Sequence, residues 1–111
     1  MESDEIIRQL NLRLSQNFPD YQGVYFFGSR LKGDFTEESD YDVVLIFDEL
    51  DYPKRLEIAG VLNRLEYELD VFFDCKLFTT TGTRSIKYIR ENVNPIFIHH
   101  AIDQGRYYAR P

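Results

Sequence analysis

Phe26-Phe27-Gly28-Ser29-Arg30-Leu31-Lys32-Gly33, and after it Ser39-Asp40-Tyr41-Asp42-Val43-Val44-Leu45-Ile46-Phe47, is the stretch that decides how this chain folds. An apolar strand runs into Gly28-Ser29, ten residues intervene, and Asp40 and Asp42 then head a second apolar run. Side chains at i and i+2 of a strand point to the same face, so Asp40 and Asp42 converge. Two carboxylates that close repel unless a cation lies between them. Mg²⁺ prefers such oxygen ligands and completes its shell with water and substrate phosphates. Gly28 lets the backbone approach a phosphate, and Ser29 offers a hydroxyl and an N–H at a helix start. Arg30 adds a positive charge beside them. An isolated Asp-x-Asp is more often a solvated turn before a strand. The upstream Gly-Ser, with a strand on either side, makes the joint pattern far more specific.

The elements follow outward from this run. Ser3-Asp4-Glu5 opens a helix with a capping residue and first-turn acids; Ile7, Leu10, Leu14 and Phe18 recur at helical spacing until Pro19. A short strand over 24–27 and a helical turn after Ser29 come next. Near-continuous apolarity over 41–47 predicts a central strand covered on both faces. Asp51 or Tyr52 caps a helix with Pro53 in its first turn. Its expected apolar stripe is Leu56, Ala59, Leu62 and Leu65, flanked by Ile58, Val61 and Leu69. A strand over 71–78 follows, then a short helix carrying Ile86, Ile89 and Val93, and a last one over 96–104, capped by Asn94-Pro95 and stopped by Gly105. The predicted order is α-β-α-β-α-β-α-α. This is an α/β (α+β) fold with a small mixed sheet, forming one domain over 1–111.

Composition narrows the function. The 111 residues are 43% apolar and 15% aromatic, enough for a packed core, and carry a formal net charge of -6. That balance excludes a broad basic face for nucleic acid and suits docking on a basic protein partner. No apolar run reaches the length of a membrane span, and no secretory signal precedes Ile6. The single cysteine, Cys75, reads as a buried, reduced thiol, which leads to the expectation of a cytoplasmic protein. His99 and His100 lie about 100° apart on a helix, with no further ligand at metal spacing, and read as one surface and one half-buried histidine. Tyr107 and Tyr108 read as packing of the C-terminal tail. Arg84, Lys87 and Arg90 read as a solvated helix face; Lys32 and Lys76 are secondary candidates for phosphate contact.

Gly28, Ser29, Asp40 and Asp42 match without a gap the Gly-Ser, ten residues, Asp-x-Asp motif of the polymerase-β-like nucleotidyltransferase superfamily, and Arg30 and Gly33 extend the match. More closely, the chain resembles the minimal nucleotidyltransferase (MNT) branch, including antitoxins of HEPN/MNT toxin–antitoxin pairs. The resemblance implies a polymerase-β-like core. It implies Mg²⁺, two ions, held by Asp40, Asp42 and a third carboxylate on the neighbouring strand. Asp74 fits that third place best, as ligand and general base, with Asp70 its rival; a bland reading pairs Asp74 with Lys76 or Arg84. ATP is the implied substrate, with Gly28, Ser29 and Arg30 at the nucleotide. The implied reaction is AMP transfer to a tyrosine hydroxyl of a partner HEPN ribonuclease, since 111 residues leave no room for an acceptor domain. Two other readings stay open: an MNT fold that neutralises by contact alone, and a small-molecule nucleotidyltransferase with a separate substrate-binding subunit.

Overall fold

Residues 1–111 are described by a computed structural model. The apolar run 41–47 is an inner strand, β2 (Tyr41–Phe47), in a four-stranded sheet. It pairs antiparallel with β1 (Tyr21–Phe27) and parallel with β3 (Phe73–Thr79). On its far side β1 pairs antiparallel with β4 (Arg106–Ala109), giving the order β3-β2-β1-β4. Both faces of β2 are covered, as its continuous apolarity predicts. On one face α1 (Ser3–Asn17) and α3 (Tyr52–Leu69) bury Ile7, Leu10, Leu14, Ile58 and Leu65 against Val24, Phe26, Val43, Leu45 and Phe47. On the other, α4 (Ile86–Asn92) and α5 (Pro95–Ile98), which runs into a π-helical turn over His99–Asp103, pack on Val44, Ile46 and Phe78. The parallel β2–β3 pair requires a crossover, and α3 supplies it.

Three helix starts are capped by a side chain, two of them, at Asp51 and Asn94, where the sequence predicts it. Asp51 accepts from the Lys54 N–H, Ser85 from Tyr88 and Asn94 from Phe97. The first helix differs. Its cap position is Glu2, which makes no side-chain bond, and Ser3 lies one step inside. The α3 stripe is also rotated from the expected one. Ile58 and Leu65 are buried, Val61, Leu62 and Leu69 partly so, while Leu56 and Ala59 face solvent. Residues 58 and 65 are two turns apart, on the line of α3 that is turned most fully to the core.

Three strands differ from the sequence reading: β1 starts earlier, β3 covers Phe73–Thr79 and leaves Val71 and Phe72 outside it, and β4 is an addition. The β1 strand begins at Tyr21 because this side chain is fixed at both ends: its ring packs on Phe47 and its hydroxyl donates to Asn11 Oδ1 at 2.6 Å. The predicted element order lacks β4. The C-terminal tail is a strand, in which Tyr108 is buried and Tyr107 stacks on Tyr25 with ring centroids 4.5 Å apart.

Candidate active site

The topology gathers the motif residues at one end of the sheet. Because β1 runs antiparallel to β2, the end of β1 meets the start of β2, and Phe27 stands opposite Asp42. Because β3 runs parallel to β2, their starts coincide, and Asp74 stands opposite Asp42. The Gly28-Ser29 turn therefore lies against one side of Asp42 and the Asp74 carboxyl against the other. Contact with the turn is close: a Cβ on Gly28 would fall 2.1 Å from Asp42 Oδ2. Gly28 also has φ 84°, where a side chain is strained. The residue is glycine for both reasons.

The α2 helix (Ser29–Lys32) is a single turn, closed by Gly33 in the left-handed conformation. Its leading N–H groups have no partner within the helix, which leaves them for an anion in front of the turn. Burial raises the Asp42 carboxyl above the usual carboxylate range; the charges of Asp74 and Asp40 and a shared hydrogen bond with Asp74 raise it further, while Lys76 opposes them. Two facing carboxylates that disfavour full ionisation fit a divalent cation by the chemistry of the donor set. No three His, Cys, Asp or Glu side chains close on one point. Asp42 and Asp74 form the pair and Asp40 is exposed beside it, an arrangement that suits an ion completing its shell with phosphate oxygens.

The structure separates the remaining candidates. Asp70 is not on β3; it caps the end of α3 in the left-handed conformation, outside the ladder that brings Asp74 to Asp42. Asp74 is not a charge within a buried strand, because β3 is an edge strand and the side chain is half exposed, 3.5 Å from Lys76. Arg30 does not point free toward a phosphate. It donates to the Ser39 and Glu37 carbonyls and lies over the Phe35 and Tyr41 rings. Both histidines are exposed, so the half-buried one is absent. His100 instead meets Phe27 edge-on, as Phe97 does, which builds an aromatic wall on the face carrying Asp42. No local pattern in the sequence marks Phe97 or His100, since a residue pair 73 positions apart, Phe27 and His100, carries no periodicity. Arg90 is held in a bidentate pair with Asp103. The largest cleft, about 550 Å³, lies at the far end of β2 among Asp20, Asp48, Glu49, Asp51 and Lys54. Its lysine is already paired with Asp20, and none of the motif residues line it.

The same fold recurs in known proteins. Residues 7–98 match the nucleotidyltransferase domain family. A Methanocaldococcus jannaschii protein provisionally named a protein adenylyltransferase is 34% identical over 98 residues, covering 88% of this chain and 94% of that one. Among solved structures, a chain of a toxin–antitoxin complex with AMP-PNP superposes with a TM-score of 0.62 at 22% identity, over 91% of this chain and 70% of that one. A chain of the Shewanella oneidensis complex between a tri-AMPylated HEPN toxin and its MNT antitoxin superposes with a TM-score of 0.56 at 19% identity, over 94% of this chain and 69% of that one. At those identities the structures establish a shared fold. With the family match spanning most of its length, this chain is a member of the nucleotidyltransferase domain family and an enzyme of nucleotidyl transfer.

Proposed function

We propose that residues 1–111 form a single nucleotidyltransferase domain that moves AMP from ATP to a tyrosine hydroxyl of a HEPN-type toxin, silencing it. The observation that carries the reading is the meeting of the Gly28-Ser29 turn, Asp42 and Asp74 at one sheet end. The M. jannaschii relative, by its provisional name, supports AMP as the group and protein as the acceptor; the toxin–antitoxin complexes support a HEPN partner through their fold. In this reading the acceptor oxygen forms a bond to the α-phosphorus, the bond from that phosphorus to the β-bridging oxygen breaks, and pyrophosphate leaves. Asp74, half exposed at the edge of the sheet, accepts the hydroxyl proton. The Gly28 and Ser29 main chain and the Ser29 hydroxyl hold the β- and γ-phosphates. Asp40, Asp42 and Asp74 would hold Mg²⁺. When bound, the metal neutralises charge on the phosphates and on the leaving pyrophosphate. Orientation and charge neutralisation supply most of the rate.

The test is incubation with α-labelled ATP, Mg²⁺ and a HEPN-type protein from the same organism. Label on one or more toxin tyrosines, located by mass spectrometry and lost in Asp42→Asn, is the expected result. Full neutralisation by Asp42→Asn with no label transferred would replace the enzyme with a protein that acts by contact. Label found on a small molecule would replace the protein acceptor.

A further inference from the structure

We propose that Arg30 is a positioning residue: it clamps the loop that carries Asp40 and does not contact the nucleotide. The proposal rests on the reading of Asp40 as a metal ligand. The Arg30 guanidinium lies 4.5 Å from the Phe35 ring centroid and 4.6 Å from that of Tyr41. From that position its Nε donates to the Ser39 carbonyl at 3.1 Å and its Nη2 to the Glu37 carbonyl at 3.2 Å. A planar, permanently charged guanidinium can lay its face on the rings while its edge bonds two carbonyls in a fixed fork; an ammonium has neither the flat face nor the fork. The Ser39 carbonyl belongs to the peptide bond that joins Ser39 to Asp40, so this bond fixes the peptide plane from which the Asp40 side chain departs.

The rest of the loop supports the same assignment. Residues 33–38 are exposed and contain no element of structure, so little burial holds them. Their own bonds close a small turn: Ser39 N–H to the Thr36 carbonyl, Thr36 N–H to Ser39 Oγ and Glu38 N–H to Thr36 Oγ1. None of these ties the turn to the sheet. Arg30 does, since Tyr41 is a buried residue of β2 and Arg30 itself follows the phosphate-facing turn by one residue. One side chain thereby links the Gly28-Ser29 turn to the position of Asp40. Residues that orient a ligand from behind it change metal affinity by about 10–100-fold when removed.

The test compares Arg30→Ala, Arg30→Lys, Phe35→Ala and Asp40→Ala. Two readouts are independent of catalysis: hydrogen exchange of the 34–40 amides without metal, and Mn²⁺ binding followed by electron paramagnetic resonance with a non-hydrolysable ATP analogue. Exchange of the α1 amides reports that each variant is folded. The clamp predicts that all three variants at Arg30 and Phe35 speed exchange over 34–40 by about tenfold or more. It also predicts that they weaken Mn²⁺ binding by about 10–100-fold. A phosphate contact predicts a different pattern, with Arg30→Lys largely retaining binding and Phe35→Ala without effect; that pattern would overturn the proposal. Full Mn²⁺ affinity in Arg30→Ala, with affinity lost in Asp40→Ala, would overturn the clamp alone. Full affinity in Asp40→Ala would remove the reading of Asp40 as a ligand, and the function assigned to the clamp with it.

Discussion

At the scale of single residues, the site is held in a state the fold by itself does not favour. Burial and the neighbouring carboxylates raise Asp42 above its unfolded value, so between those two values the folded chain binds the extra proton. Stability of the metal-free protein therefore falls as pH rises through the folded pKa of Asp42, and the loss is complete above it. Asp42→Asn should flatten that pH dependence and raise the neutral-pH melting temperature by about 2–5 °C in chelator, a modest gain because the carboxylate is partly solvated. The same variant should lose nucleotidyl transfer, a stability–activity trade read by calorimetry beside the label assay. Gly28→Ala should destabilise by about 2–3 kcal/mol through backbone strain and collision with Asp42. Adding Asp42→Ala should recover part of that loss, and a double-mutant cycle in urea measures the coupling. Burial, with Glu66 and Asp74 nearby, pushes the Cys75 thiol up to about 12. Native protein at pH 8 should react with a thiol reagent at least about tenfold more slowly than urea-unfolded protein.

At the scale of elements, α3, α4 and α5 each begin where a side chain answers an open N–H group. Asp51→Ala and Ser85→Ala should each cost about 1 kcal/mol in urea unfolding, and the two should add because the caps share no partner. The short β4 strand matters more than its four residues suggest. It brings the Tyr108 hydroxyl to Asp4 at 2.6 Å, gives the Ala109 carbonyl to Asn11 at 2.8 Å, and covers the edge of β1. Just beyond it, Arg110 donates to the Ser15, Phe18 and Tyr21 carbonyls. Ending the chain at Gly105 should remove about 3 kcal/mol or more and leave β1 an open edge, seen as a lower urea midpoint and concentration-dependent light scattering.

At the scale of the whole molecule, an excess of six negative charges works against compactness and in favour of a basic partner. If a HEPN protein presents a basic surface to this chain, association should slow by about tenfold between 0.05 and 0.5 M salt while dissociation changes little, which stopped-flow mixing measures. No helix is long and apolar enough to cross a membrane. The motif residues meet at a sheet end, and none of them lines the largest cleft.

The amino-acid sequence by itself determined the motif, the inner strand and the capped helices. Each of these is a local fact: Gly28-Ser29 is a turn by chemistry, 41–47 is too apolar to face water, and Asp51 and Asn94 bond donors within a few residues. Local signals could not show β4, because a four-residue strand exists only by its pairing with β1, some 80 positions earlier in the chain. They favoured Asp74 over Asp70 only through the family resemblance; the ladder register to β2, which sets Asp74 opposite Asp42, is a tertiary fact. Nor could they show what the Arg30 guanidinium touches, since the two carbonyls and two rings around it come together only when the loop folds back. Bonds between near neighbours are written in the order of residues. Contacts across the sheet arise from pairing direction and register, and those the tertiary structure alone decided.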